Sequence, residues 1–255
     1  MRYVQRLATR QKIKWKKKPL DPVKHYGEPA DWMLREEPKI PIAVKVISFW
    51  TGKRRSNAPQ GVIDGLKKIK YIVKQERELD HGESMDLIIV NSINSEALNS
   101  EVMDYLNSLN GTLTKNGMIS VMHRYNHGLS FGNFNYVFNL YKNVYKYFWF
   151  SEDDYIVTSS NVLKESIDRL NDPQKNIGFV STHFLHGDYA VGGTGITSTG
   201  ILLNCHGENL PWNDGDQKNW KAHQQAERQL THGITAKGYE LCVIDNYQNR
   251  RMVWS

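Results

Sequence analysis

Three acids in a row, Glu152, Asp153 and Asp154, follow the aromatic run Tyr147-Phe148-Trp149-Phe150 after a single Ser151. Carboxylates this close repel and raise one another's pKa unless a cation or a set of donors neutralises them. Such oxygen ligands suit Mg2+ or Mn2+, and magnesium is commonly held by one or two carboxylates together with substrate phosphates. A cation placed there also neutralises a departing diphosphate. The plain alternative is a solvated turn whose Asp caps the next helix. Position brings the chemical reading level with that alternative. The aromatic run is a buried strand in pattern, and ligands of open α/β sheets bind beyond the carboxyl ends of strands.

Other segments carry weaker chemistry. The stretch from Val191 to Gly200 is rich in glycine but lacks the Lys-Ser/Thr pair of a phosphate-binding loop. It reads as a flexible loop lining an acceptor pocket or as a plain strand connection. His183, His186 and His206 match no zinc spacing. Trp212 and Trp220 flank Asp214 and Asp216, where they would stack on a sugar ring or simply pack in the core. Cys205 and Cys242 lie far apart with no CxxC spacing, which argues against a disulfide scaffold or a zinc site and fits a reducing compartment.

The elements that must position the acids alternate in type. Ile42 to Phe49 is a β-branched strand, and Val62, Leu66, Ile69 and Val73 recur at helical spacing. Met85 to Val90 is a second strand, Ser95 to Leu109 a helix and Met118 to Met122 a third strand. A helix over Phe134 to Tyr147 leads into the aromatic fourth strand. Beyond it the pattern predicts a helix near Ser160 to Leu170, a strand at Ile177 to Ser181, a short strand at Ile201 to Leu203 and a polar helix from Lys221 to Lys237. Strands and helices alternating in this way predict an α/β fold with a mostly parallel sheet flanked by helices.

At the end of the fourth strand in this order, Phe148 to Tyr155 resembles the strand-plus-acidic motif of glycosyltransferases of the GT-A fold, a Rossmann-like mixed sheet, and the chain is distantly similar to family 2 of those enzymes. Arg124 to Gly128, followed by Phe131-Gly132-Asn133-Phe134-Asn135, is similar to the family's stretch after the third strand. Glu227-Arg228-Gln229-Leu230, on a helix ending in Gly238-Tyr239, resembles its acid-x-x-Leu helix. The resemblance implies a metal-dependent transfer of a sugar from a nucleotide-diphosphate donor, a UDP-sugar foremost, to a glycan or other hydroxyl acceptor, with inversion. Asp154 and Glu152 would hold Mn2+ or Mg2+. Ser48 and Trp50 at the end of the first strand, Asn91 at the end of the second, Arg124, Asn135 and Asp153 would line the donor. Glu227 would be the general base. A retaining transferase, or a non-catalytic binding protein on the same fold, remains the alternative. The second strand ends in Val90-Asn91-Ser92 where the family has an Asp, and the first in Ser48-Phe49-Trp50-Thr51 where it has Pro-x-x-Asn.

The 255 residues suffice for one α/β domain or two small ones. Residues 1–41 are basic and interrupted by Pro19, Pro22, Pro29, Pro38 and Pro41, so they read as an arm. Residues 42–255 read as the catalytic domain, with 42–155 the nucleotide-sugar half and 156–255 the acceptor half. The net charge of +6 is concentrated at Lys12, Lys14, Lys16, Lys17 and Lys18. Such a run suits a solvated tail or peripheral contact with an anionic membrane surface. No nucleic-acid module accompanies it, and no apolar run approaches the roughly 18 residues of a membrane span. The expectation is a cytoplasmic protein that does not bind nucleic acid and whose basic arm suits peripheral contact with a membrane.

Overall fold

The computed structural model describes residues 41–50, 65–93, 100–183, 185–212, 220–244 and 250–251. The chain divides into Met1–Ile40 and Pro41–Ser255, and every described residue belongs to the second unit, so the expected arm, save Pro41, lies outside the described residues.

The β-branched and aromatic runs form the strands that their patterns predict. β1 (Ala43–Trp50), β2 (Met85–Ile93), β3 (Ile119–Tyr125) and β4 (Tyr147–Glu152) are joined through α1 (Gly65–Glu78), α2 (Ser100–Leu109) and α3 (Leu129–Tyr141). Then come the short β5 (Tyr155–Ile156), α4 (Val162–Leu170), β6 (Ile177–Ser181) and a hairpin of β7 (Leu185–His186) and β8 (Tyr189–Ala190). The described residues close with β9 (Gly195–Ser198), α5 (Thr199–His206), α6 (Trp220–Thr235), β10 (Glu240–Val243) and β11 (Arg250–Arg251).

Seven strands form one mixed sheet in the order β10-β6-β9-β4-β1-β2-β3. Only β9 runs antiparallel to its neighbours, β4 and β6. Helices cover both faces, which makes this a mostly parallel, Rossmann-like sheet. Side chains of β1, β2 and β4 alternate between the faces, as strands require. Val44, Val46, Val90, Phe148 and Phe150 pack with Phe131, Phe134 and Phe138 of α3 and with Leu230 and Ile234 of α6. Ile47, Phe49 and Ile89 turn the other way, onto Ile69, Ile72 and Val73 of α1 and Val102 and Leu106 of α2. From β1 the chain steps outward through β2 and β3, and β4 returns to the opposite side of β1. The strand order thus reverses between β1 and β4, and their carboxyl ends frame the crevice where such sheets bind ligands.

Two sequence expectations fail here. Ile201 to Leu203 is helical, in α5, because Ser198 caps that helix with its hydroxyl accepting from the Ile201 N–H at 3.2 Å. The glycine-rich stretch is not a flexible loop, since its second half is the buried strand β9. A Cβ on Gly195 would lie 2.2 Å from Phe179 Cε1 and 2.5 Å from the Val180 carbonyl oxygen, so glycine is what lets β9 close against β6. Among the described residues no helix is long and apolar enough to cross a membrane.

Candidate active site

Glu152 is the last residue of β4 and stands opposite Ser48 of β1 in the parallel register. This puts the acidic turn at the point of strand reversal. Its carboxylates then diverge. Glu152 faces the α3 side, where Oε1 accepts from the Ser130 hydroxyl at 2.6 Å. Asp153 turns to the α1 side, where a single oxygen, Oδ2, accepts from the Trp50 N–H at 3.0 Å and pairs with Lys68 Nζ at 2.5 Å. Asp154 is buried.

Glu227 reaches the same turn from α6. Its Oε1 accepts from the Gly192 N–H at 2.5 Å, and a Cβ on Gly192 would lie 3.3 Å from Glu152 Oε2. Gly192 has φ 68, so glycine suits both its conformation and its place between the two acids. Burial, then Asp154, Asp153 and Glu227, push the Glu152 carboxyl up to about 8 against the opposing Ser130 hydrogen bond. Burial likewise raises Glu227, which the Gly192 N–H opposes. The turn is therefore over-supplied with negative charge.

A second polar network spans the carboxyl ends of β1, β2 and β3. Asn133, fully buried on α3, donates its amide to Ser48 Oγ and Ser92 Oγ, each at 2.8 Å. Arg124 Nη1 donates to Asn133 Oδ1 at 2.8 Å and to the His127 carbonyl at 3.1 Å. Gly132 permits this approach, because a Cβ there would lie 1.9 Å from the His127 oxygen. Arg124 is thus anchored at one nitrogen beside Ser48, Ser92 and the Glu152 strand end.

The site residues expected from sequence divide accordingly. Glu152, Asp153, Asp154, Ser48, Trp50, Arg124 and Glu227 meet at this edge of the sheet. Asn91 faces the opposite layer, with Nδ2 on Met103 Sδ and His123 Nδ1, each at 3.2 Å. Asn135 is not at the site. Its Oδ1 accepts from the Leu210 N–H at 2.8 Å and from Asn139, which fixes the chain after α5. Asn133, two residues earlier and on the sheet-facing side of the helix, holds the strand ends instead. Ser130 and Lys68 were also missed. Ser130 carries no pattern of its own, but Lys68 shares the inward stripe of Ile69, Ile72 and Val73, an unusual place for a lysine. His206 is structural, with Nε2 on the Leu230 carbonyl at 2.8 Å. Asp214 and Asp216 lie outside the described residues.

Among the described residues no three Asp, Glu, His or Cys side chains converge on one point as a ready-made cation site. The donor set nevertheless fits a hard cation. It consists of carboxylate oxygens in charge excess, and a divalent ion held by one or two of them takes its remaining ligands from phosphates and water.

No protein-family model and no curated protein matches the chain. Solved structures similar to it include the following two. One is a cytidylyltransferase from Leptospira borgpetersenii, at a TM-score of 0.48 and 11% identity, covering 80% of this chain and 76% of that one. The other is 4-diphosphocytidyl-2C-methyl-D-erythritol synthase from Anaerococcus prevotii, at a TM-score of 0.42 and 10% identity, covering 80% of this chain and 86% of that one. The expectation of glycosyl transfer is corrected on these findings: no family 2 model matches, and the similar structures are cytidylyltransferases. Glu227, the residue expected as general base, is half-buried and is engaged by the Gly192 N–H beside Glu152.

Proposed function

We propose that this chain is a nucleotidyltransferase that binds a nucleoside triphosphate over the β1–β4 edge with a divalent cation. The acceptor in this reading is a small molecule bearing a phosphate or a hydroxyl. The observation that carries the reading is the charge excess at the point of strand reversal, where Glu152 is pushed up to about 8. A surplus of carboxylates held in a folded protein at the ligand-binding edge calls for a cation, and a hard cation there calls for phosphate. In the reaction an acceptor oxygen bonds to the α-phosphorus, the bond from that phosphorus to the bridging oxygen breaks, and diphosphate leaves; a hydroxyl acceptor gives up its proton to solvent, and a phosphate acceptor attacks already ionised. Bound Mg2+ or Mn2+ would supply charge neutralisation on the phosphates and the departing diphosphate. Glu152 and Asp154 would hold it. Arg124, fixed by Asn133, would present its remaining N–H groups to phosphate oxygens. The named activity of the similar structures makes CTP the first triphosphate to try.

The test is a thermal-shift and calorimetric panel of CTP, UTP, ATP and GTP, each with and without Mg2+ or Mn2+, followed by assay of diphosphate release. At least one triphosphate should bind in a cation-dependent manner, and Glu152→Gln should weaken that binding. Absence of cation-dependent binding by all four at millimolar concentration overturns the proposal.

A further inference from the structure

The three neighbouring carboxylates do not share one environment, and one of them is paired with a lysine. Lys68 lies in the first turn of α1, and its side chain is only 7% exposed. A buried ammonium is costly unless paired, and Asp153 is its partner. The Asp153 oxygen that meets Lys68 also accepts the Trp50 N–H, so two donors from two elements fix that carboxylate on the α1 layer. Glu152, one residue earlier, is tied to Ser130 on the α3 layer.

We infer that Lys68 is a positioning residue of this site: by holding Asp153 on the α1 layer, it withdraws that carboxylate from the cation and leaves Glu152 and Asp154 to share the ion with substrate phosphates. The inference rests on the phosphate-and-cation reading above and adds a consequence to it. A cation held by two carboxylates binds weakly alone and well only with phosphate present. A third carboxylate would bind the ion permanently, since ligand charge count sets affinity for hard cations. Lys68 thus makes cation binding depend on the nucleotide.

The experiment is a Mn2+ titration followed by electron paramagnetic resonance, with Mn2+ alone and with Mn2+ plus inorganic triphosphate, on the full chain. Asp153→Asn keeps an oxygen for Lys68 and should bind Mn2+ within about twofold of the parent under both conditions. Lys68→Met leaves Asp153 held by the Trp50 N–H alone and should bind Mn2+ alone about tenfold tighter, whereas a pair that serves only packing would leave the Mn2+ affinity of the folded variant unchanged. The double variant Lys68→Met/Asp153→Asn should return to parental affinity. Thermal unfolding confirms that each variant is folded, and if Lys68→Met is not, Asp153→Asn decides by itself. A tenfold loss in Asp153→Asn would show that Asp153 is a ligand and overturn the inference, as would unchanged Mn2+ affinity in folded Lys68→Met. A parent that binds no Mn2+ even with triphosphate fails at the underlying reading, whereas a parent that binds beside deviating variants fails at this inference alone.

Discussion

The titration of Glu152 makes the charge excess measurable. Its ordinary value is 4.5 and in the fold it is pushed up to about 8. Between those values the folded chain keeps a proton that the unfolded chain has lost, so stability falls as pH rises. The contribution is full below the unfolded value and is gone above the folded one. Glu227, raised in the same direction, adds to the slope. In metal-free buffer the melting temperature of the parent should therefore drop between about pH 5 and pH 8 by more than that of Glu152→Gln. Scanning fluorimetry across that range measures it, and equal slopes would remove Glu152 from the account. Saturating Mg2+ with a bound triphosphate should flatten the parental slope, because a nearby cation stabilises the ionised form. Asn133 poses a different test. Asn133→Ala strips buried partners from Ser48, Ser92 and Arg124 together, at about 1–3 kcal/mol for each buried group left unsatisfied. Chemical denaturation should show that loss, and triphosphate affinity should fall with it as Arg124 is released.

The decisive element is α1. Lys68 pairs with Asp153 at the site end of the sheet, while Glu76, eight residues on, pairs with Lys45 Nζ of β1 at 2.6 Å and with His81 Nε2 at 3.1 Å. These contacts are about 12 Å apart along the helix axis. Lys45 Nζ also sits 3.8 Å from the ring centroid of Trp149 on β4, so the lower tether reaches both strands that frame the crevice. Buried pairs of opposite polarity at the two ends allow one register of helix on sheet. Burial by itself would raise Glu76, yet Lys45 and His81 hold it down at about 2. Its contribution is present above 4.5 and is lost as pH falls toward that lower value. Lys45→Met should cost about 3–5 kcal/mol by leaving Glu76 unpaired, and Lys45→Met/Glu76→Leu should recover most of it. Urea denaturation near neutral pH distinguishes the two. On the far side of the site, Gly195→Ala should destabilise by about 1–3 kcal/mol or more, because the added methyl meets backbone at Val180 and cannot be relieved by a rotamer change. A fold unaffected by that change would contradict the close β6–β9 contact.

For the whole molecule, the described unit beginning at Pro41 contains its own layered core and the complete acidic turn. A chain of residues 41–255 should therefore unfold at a temperature close to that of the full chain and keep its triphosphate affinity. Differential scanning calorimetry and the panel above check this, and loss of the unfolding transition would show that residues 1–40 complete the core. The α/β class and the parallel half of the sheet are legible in the residues alone, because the β-branched run of β1 and the aromatic run of β4 have no other place than a buried strand. So is the acidic turn, since three adjacent acids at the end of such a run stand out without any fold. Periodicity failed for β9 and α5, where the close fit of Gly195 and the Ser198 cap outweighed local pattern. Folding in three dimensions sends Glu152 and Asp153 from the strand end onto opposite layers, ties the strands through Asn133 and not Asn135, and brings Glu227 of α6 to the acidic turn. Those outcomes depend on partners 22 to 103 residues away in sequence, such as Ser130 for Glu152 and Trp50 for Asp153. No local pattern encodes a contact whose other half is brought in by the fold.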